Sequence, residues 1–298
     1  MKGFLKFLSV FAGVLLLSAV LSPILYDFLP FKFERIFQRL VMVFAILAIL
    51  IFVKIRRETL VRFGMDWRKG SLSLFGAGFL TAFIVLLAFT ATELLIGNAR
   101  WLLRDFSALK WLVKIASCAG AALFIGFLEE FFFRGFVFTS LRDKVVRGNV
   151  WLAVTLTSLF YSSLHFISLR KPLIGLDPGF MDSLKLIAAP IQSFADWQGV
   201  WPAAIGLFLF GMILNYCVVR SGSLYPSIGL HAGSVFFVRA IGYFVDFLEK
   251  HKILLSSKKV YDGALGWFFL LVIGLILHRW LKPGSRLPPK DAPGPGTV

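Results

Sequence analysis

Cysteine is nearly missing from this chain: two residues in 298, Cys118 and Cys217, both inside apolar runs. Two such positions make no disulfide framework and no metal-ligand spacing, so each reads as a small buried hydrophobe. Charge is scarce as well. Only 16% of residues are Asp, Glu, Lys or Arg, against about a quarter in soluble domains, while 58% are hydrophobic. With a mean hydropathy of +0.81, that balance excludes an ordinary soluble enzyme. Acidic residues are the rarer sign, 16 against 32 Lys and Arg, for a net charge of +16. The basic residues sit in short connections between apolar runs, as membrane topology requires, and this placement argues against nucleic acid as a partner. Polar and apolar residues do not alternate, so the runs are helices and not strands of a β-barrel.

What is present is a series of apolar runs from one end to the other. Runs at about 4–26, 37–53, 71–97, 112–141, 150–168, 200–219, 224–247 and 263–281 are each long enough to cross a bilayer. The expected fold is all-α, a polytopic membrane protein with about eight transmembrane helices. The first run follows Lys2 and Lys6 like a signal peptide, but no small-x-small cleavage site follows Leu17, so it reads as an uncleaved helix. The connection 54–70 holds Lys54, Arg56, Arg57, Arg62, Arg68 and Lys69 against Glu58 and Asp66. That charge places it in the cytoplasm, and eight spans then put both termini there too, in a bacterial inner membrane. Residues 169–199, with Pro172, Pro178, Gly179 and Pro190, read as a long loop with a short interfacial helix. The Pro- and Gly-rich tail 283–298 reads as disordered. The chain divides into N-terminal helices (1–111), a core (112–247), a C-terminal helix (248–282) and that tail.

Charge inside the apolar runs is where chemistry is expected. Leu128-Glu129-Glu130-Phe131-Phe132-Phe133-Arg134-Gly135 follows an uncharged stretch, 119–127. An ionised group in hydrocarbon is costly unless paired or wetted, and function is the default reason for one. Glu130 and Arg134, four apart, share a helix face and can pair, while Glu129 points about 100° away. Ala119, Ala122 and Gly126 lead to Glu129 at spacings that let another helix approach closely. The structural alternative is a buried ion pair beside one protonated Glu. Thr155, Ser158, Ser162 and His165 form a polar stripe, and a hairpin turning near residue 147 brings His165 to the depth of Glu129. His231 lies between Ser227 and Ser234 on a third helix. His251 and His278 sit beside Lys and Arg and read as interfacial. Two carboxylates, two histidines and an arginine suit hydrolysis, with a general base drawing a proton from water and donors steadying the oxyanion. No Gly-x-Ser-x-Gly elbow and no Cys-His pairing supports a nucleophilic mechanism.

Glu129-Glu130-x-x-x-Arg134, Tyr161-x-x-x-His165 and Gly222-Ser223-Leu224 leading to His231 together resemble the CPBP family, over roughly residues 115–240. These are the type II CAAX prenyl endopeptidases and bacteriocin-processing or immunity proteins. The resemblance implies an intramembrane endopeptidase acting on a membrane-associated peptide or protein. Glu129 is then the base, His165 holds the water, Glu130 and Arg134 position the site, and His231 stabilises the oxyanion. No cofactor is expected; zinc is the alternative, though no H-E-x-x-H motif occurs. Two positions depart from the family pattern. Tyr161 stands where Phe is usual, and Val235, four residues after His231, replaces an Asn or Asp that could donate a hydrogen bond. Asn215 is a possible substitute donor. The alternative to an enzyme is a non-catalytic scaffold or immunity-type protein of the same fold. A transporter is disfavoured by the lack of internal repeats.

Overall fold

A computed structural model describes residues 2–56, 60–165, 174–175, 177–194, 197–250 and 252–283. Among these the regular structure is almost wholly helical: α1 Lys2–Tyr26, α2 Phe33–Arg56, α3 Ser71–Leu95, α4 Ala108–Glu130, α5 Val150–His165, α6 Phe180–Phe194, α7 Trp197–Ser221, α8 Tyr225–Ile241, α9 Lys252–Leu255 and α10 Ala264–Trp280. Each of the eight apolar runs carries a helix. Five helical rods are long and apolar enough to cross a membrane: those of α1, α2, α3, α4 with its continuation, and α7. The fold is that of an all-α polytopic membrane protein.

Three local departures from the sequence expectation have physical reasons. The run 224–247 is helical only to Ile241. Beyond it, β2 (Val245–Phe247) pairs antiparallel with β1 (Ala99–Trp101). Arg100 stands opposite Asp246 and bonds it at 2.8 Å, an opposite-charge cross-strand pair. In the stretch expected to be mostly loop, α6 is a full 15-residue helix. Asp182 in its first turn accepts the Gly179 N–H at 3.0 Å and the Lys185 ammonium at 2.8 Å. The ammonium first, then the N–H, holds the Asp182 carboxyl below its ordinary range. Third, α4 does not stop at Glu130. Its rod runs on as π-helix over Phe131–Phe138 and again over Leu141–Val145, where i→i+5 bonding widens the turn. The rod ends at a turn in which Arg147 and Gly148 both take positive φ.

The chain forms two compact units, each discontinuous in sequence. The first comprises residues 1–58 and 163–200. There Ala19, Phe33, Phe37 and Leu186 make one buried cluster, and the Ser183 hydroxyl donates to the Ala19 carbonyl at 3.1 Å.

The second unit comprises residues 59–162 and 201–298. Its centre is the contact of α3 with α8. A Cβ at Gly78 would overlap the Pro226 carbonyl, and one at Gly229 the Phe75 carbonyl, so the two backbones touch. On its other side α8 meets α4, where a Cβ at Gly126 would lie 3.0 Å from the Ala232 nitrogen. The stripe of small residues on α4 thus does admit a close neighbour. At the far end of the α4 rod, Asp143 accepts from Arg62 at 3.1 Å and Arg142 at 2.7 Å, tying the rod to the 3₁₀ turn Leu60–Phe63.

Candidate functional site

Glu130 closes α4 and Arg134 lies one turn on, in the first π segment. Their side chains pair at 3.0 Å, and both are fully buried. Arg134 is seated from two other helices. Its Nη2 donates to the Gly211 carbonyl of α7 at 3.4 Å, and its guanidinium lies 4.3 Å from the centre of the Tyr161 ring of α5. The cation is therefore met by a carboxylate, a carbonyl and a π-face, as a charge out of water must be.

His231 enters from α8. Its Nδ1–H donates to Glu130 Oε1 at 2.7 Å, the same oxygen that Arg134 holds. Its Nε2 stands 3.7 Å from Glu129 Oε2. The imidazole is gripped edge-on by the rings of Tyr161 and Phe210, with centroids 6.3 and 5.7 Å away. Glu129 is the accessible member. Its side chain keeps 16% of its surface, against 0% for Glu130.

Four of the five residues singled out from the sequence, Glu129, Glu130, Arg134 and His231, therefore meet. His165 is the last residue of α5, half-buried, one turn beyond Tyr161 on the same face; by its contacts it belongs to the first unit. His278 bonds the Tyr216 hydroxyl at 2.6 Å at an exposed position, and His251 lies outside the described residues. The polar stripe of α5 is spent largely on packing. Ser158 donates to the Val154 carbonyl, and Ser162 to the Ala204 carbonyl of α7.

Asn215 is not a substitute donor for Val235. Its amide donates to Ser158 Oγ and to the Gly211 carbonyl, both at 3.0 Å, which commits both of its hydrogens. It is a brace, fixing the carbonyl on which Arg134 rests. Sequence reasoning missed this role. It also missed the ring of Tyr161 under Arg134, although Tyr161 precedes His165 by one turn on the polar face.

Zinc finds a poor donor set. Structural and catalytic zinc sites take three or four protein ligands. Among the described residues no group of three or more His, Cys, Asp and Glu could hold a metal ion. Glu130 Oε1 is already shared by Arg134 and His231.

Comparison with known proteins gives a family match over part of the chain. Residues 110–237 match the family described as Rce1-like, type II CAAX prenyl endopeptidase. An uncharacterized protein of Bacillus subtilis (strain 168), YyaK, is 23% identical over 174 residues, which are 58% of this chain and 48% of the relative. The chain thus spans about half the length of the curated relative it matches. No solved structure matches. All four clustered side chains fall inside the matched span, so what the chain shares with the type II CAAX prenyl endopeptidase family is a region of similarity at residues 110–237 that contains the candidate site.

Proposed function

We propose that this multi-pass membrane protein is an endopeptidase that hydrolyses a peptide bond of a membrane-associated substrate with water activated by Glu129. The observation that carries the reading is the division of labour between two adjacent carboxylates. Glu130 is locked by Arg134 and His231, while Glu129 keeps exposed surface and faces His231 Nε2. A carboxylate near a buried imidazole is suited to take a proton from water. The family resemblance assigns the holding of that water to His165. The hydroxide oxygen bonds to the scissile carbon as the carbonyl π pair moves onto oxygen. Protonated His231, oriented by its Nδ1–H bond to Glu130, donates through Nε2 to that oxyanion. When the C–N bond breaks, Glu129 returns the proton to the leaving nitrogen. Glu130 and Arg134 touch no reacting atom; they hold His231 in place.

The test is cleavage of a membrane peptide by the purified protein in liposomes. Glu129→Gln keeps the shape and removes the base, and activity should fall about 100-fold or more. His165→Ala should fall by a similar factor. Chelator should leave activity intact, in keeping with a metal-free reaction. Activity surviving Glu129→Gln removes the proposed base, and activity lost to chelator and regained with zinc makes the histidines ligands. The chain is placed in a bacterial inner membrane with both termini in the cytoplasm.

A second reading, a non-catalytic scaffold or immunity-type protein, has its own observation. Val235 offers no donor one turn after His231, and the buried charges of Glu130, Arg134 and His231 satisfy one another. No cleavage of any peptide by the wild type would put this reading first.

A further inference from the structure

We propose that the start of α4 binds an anionic phospholipid, its phosphate held by Lys110 and Lys114 and an acyl chain lying along the exposed helix face that continues from them. The site is at the opposite end of α4 from Glu129 and does not depend on any reaction there.

Four rings make a seat for the two ammoniums. Phe106 comes from the connection into α4, Trp111 from its first turn, and Tyr243 and Phe244 from the turn between α8 and β2. The Leu102 N–H donates to the Phe244 carbonyl at 2.7 Å, which ties the two connections together. Trp111 stacks on Phe244 at 4.8 Å and meets Phe106 and Tyr243 edge-on at 5.1 and 6.2 Å. The Lys110 ammonium lies 4.8 Å from the centre of Phe106. That of Lys114 lies 4.9 Å from the same centre and 4.7 Å from the centre of Tyr243. Two like charges are thus gathered on one ring, at a four-residue spacing that is unfavourable on a helix. Among the described residues neither is in an ion pair. A ring attracts its cation without neutralising it, so the N–H groups turned away from the rings can still donate to an anion. The rings also restrict both side chains beforehand, which lowers the ordering cost of holding a phosphate.

What continues from the lysines favours a lipid over a soluble anion. Lys110, Val113, Ser117, Gly120 and Phe124 follow at spacings of 3, 4, 3 and 4, a single face of α4, and every one of them is exposed. A Cβ at Gly120 would meet nothing within 4 Å, so the middle of this face is an open trough between Val113 and Phe124. The stripe is about 21 Å long, enough for one phospholipid of a single leaflet from phosphate to chain end. Trp and Tyr mark the membrane–water interface, and basic clusters there attract anionic lipid. A free phosphate would use the lysines and leave the trough uncovered. A second copy docked on this face, its helices running the same way through the membrane, would set its own two ammoniums against these.

The purified full chain in detergent tests this, with dioleoyl phosphatidylglycerol, dioleoyl phosphatidylcholine and inorganic phosphate as probes. Native mass spectrometry reads binding, and the melting temperature reads its effect on the fold. Phosphatidylglycerol should bind and raise the melting temperature; phosphatidylcholine should bind at least about 10-fold more weakly, and phosphate should leave the melting temperature where it was. Lys110→Gln should weaken phosphatidylglycerol about fivefold, and Lys110→Gln with Lys114→Gln about 30-fold. Lys110→Arg with Lys114→Arg keeps both charges and should keep the affinity. Gly120→Leu fills the trough, so it should weaken the lipid without lowering the lipid-free melting temperature. If the double Gln variant does not fold, the exposed Lys110→Gln carries the test alone. Equal binding of the two lipids, or wild-type affinity in a folded Lys→Gln variant, overturns the headgroup role. A rise in melting temperature with phosphate that matches the rise with lipid makes this a free-anion site and overturns the lipid. A dimer that Gly120→Leu dissociates overturns it in favour of contact between copies.

Discussion

One oxygen atom, Glu130 Oε1, is the hub of the site. It accepts from Arg134 and from His231, and both donors are buried with it. Replacing Glu130 by Gln keeps the volume and leaves the Arg134 cation without its anion and His231 without its carboxylate acceptor. Removing one side of a buried pair costs about 3–5 kcal/mol, so thermal unfolding in detergent should show a marked loss for Glu130→Gln. An unchanged melting temperature would mean that the pairing carries no stability. A smaller effect belongs to Asn215→Leu, which strips the brace from Ser158 and Gly211. About 1–3 kcal/mol is expected, because buried partners are left unsatisfied, and melting measured beside Glu130→Gln gives the ranking. At this scale the sequence was partly legible. The bond between Glu130 and Arg134 follows from a four-residue spacing on a helix. The bond between Glu130 and His231 joins residues 101 apart, and nothing local announces it. Of the two partners of Asn215, the Gly211 carbonyl lies one turn back on its own helix, while the Ser158 hydroxyl faces it from α5 and has no local signal.

Helices carry the site by touching without side chains between them. Gly229→Ala would push a methyl group into the Phe75 carbonyl and part α3 from α8, moving His231 two residues away. The expected result is a lower melting temperature and loss of any cleavage. Gly120→Ala on α4 meets nothing within 4 Å and should leave stability unchanged or slightly raised, since Ala is the better helix former. Equal behaviour of the two variants would refute the backbone contact. The stripe Ala119, Ala122, Gly126 showed that α4 has a close neighbour; it could not show that the neighbour is α8, because any helix fits such a stripe. The π segments after Glu130 had no sequence signal at all. Their widened turns answer to packing around Phe131, Phe133 and Phe138, all buried, and not to the preferences of single residues. The strands β1 and β2, three residues each, are too short for an alternating pattern to be read.

Across the whole molecule, the orientation expected from the basic connection 54–70 can be put to a labelling test. Trp67 is 70% exposed and Leu103 is fully exposed, on the connections before and after α3. Both native cysteines are buried, so a single new cysteine reports its own side. Trp67→Cys should react with an impermeant maleimide only in opened cells, and Leu103→Cys in intact ones. The opposite pattern would invert the topology. The rod that starts with α4 also works as a depth gauge. Its helical length from Ala108 to Val145 is 38 residues, on the order of 50 Å once the smaller rise of the π turns is allowed for, well beyond the hydrocarbon thickness. Tilt alone, commonly 0–40°, does not absorb that excess, so the rod stands out of the bilayer. From Lys114 to Arg142 it measures about 42 Å, the full thickness with headgroups. With Lys114 and Arg142 taken as the two surfaces, Glu129 falls close to halfway between them. Water for any reaction at Glu129 must therefore be delivered to the middle of the membrane, and the rate of that delivery sets an upper limit on turnover.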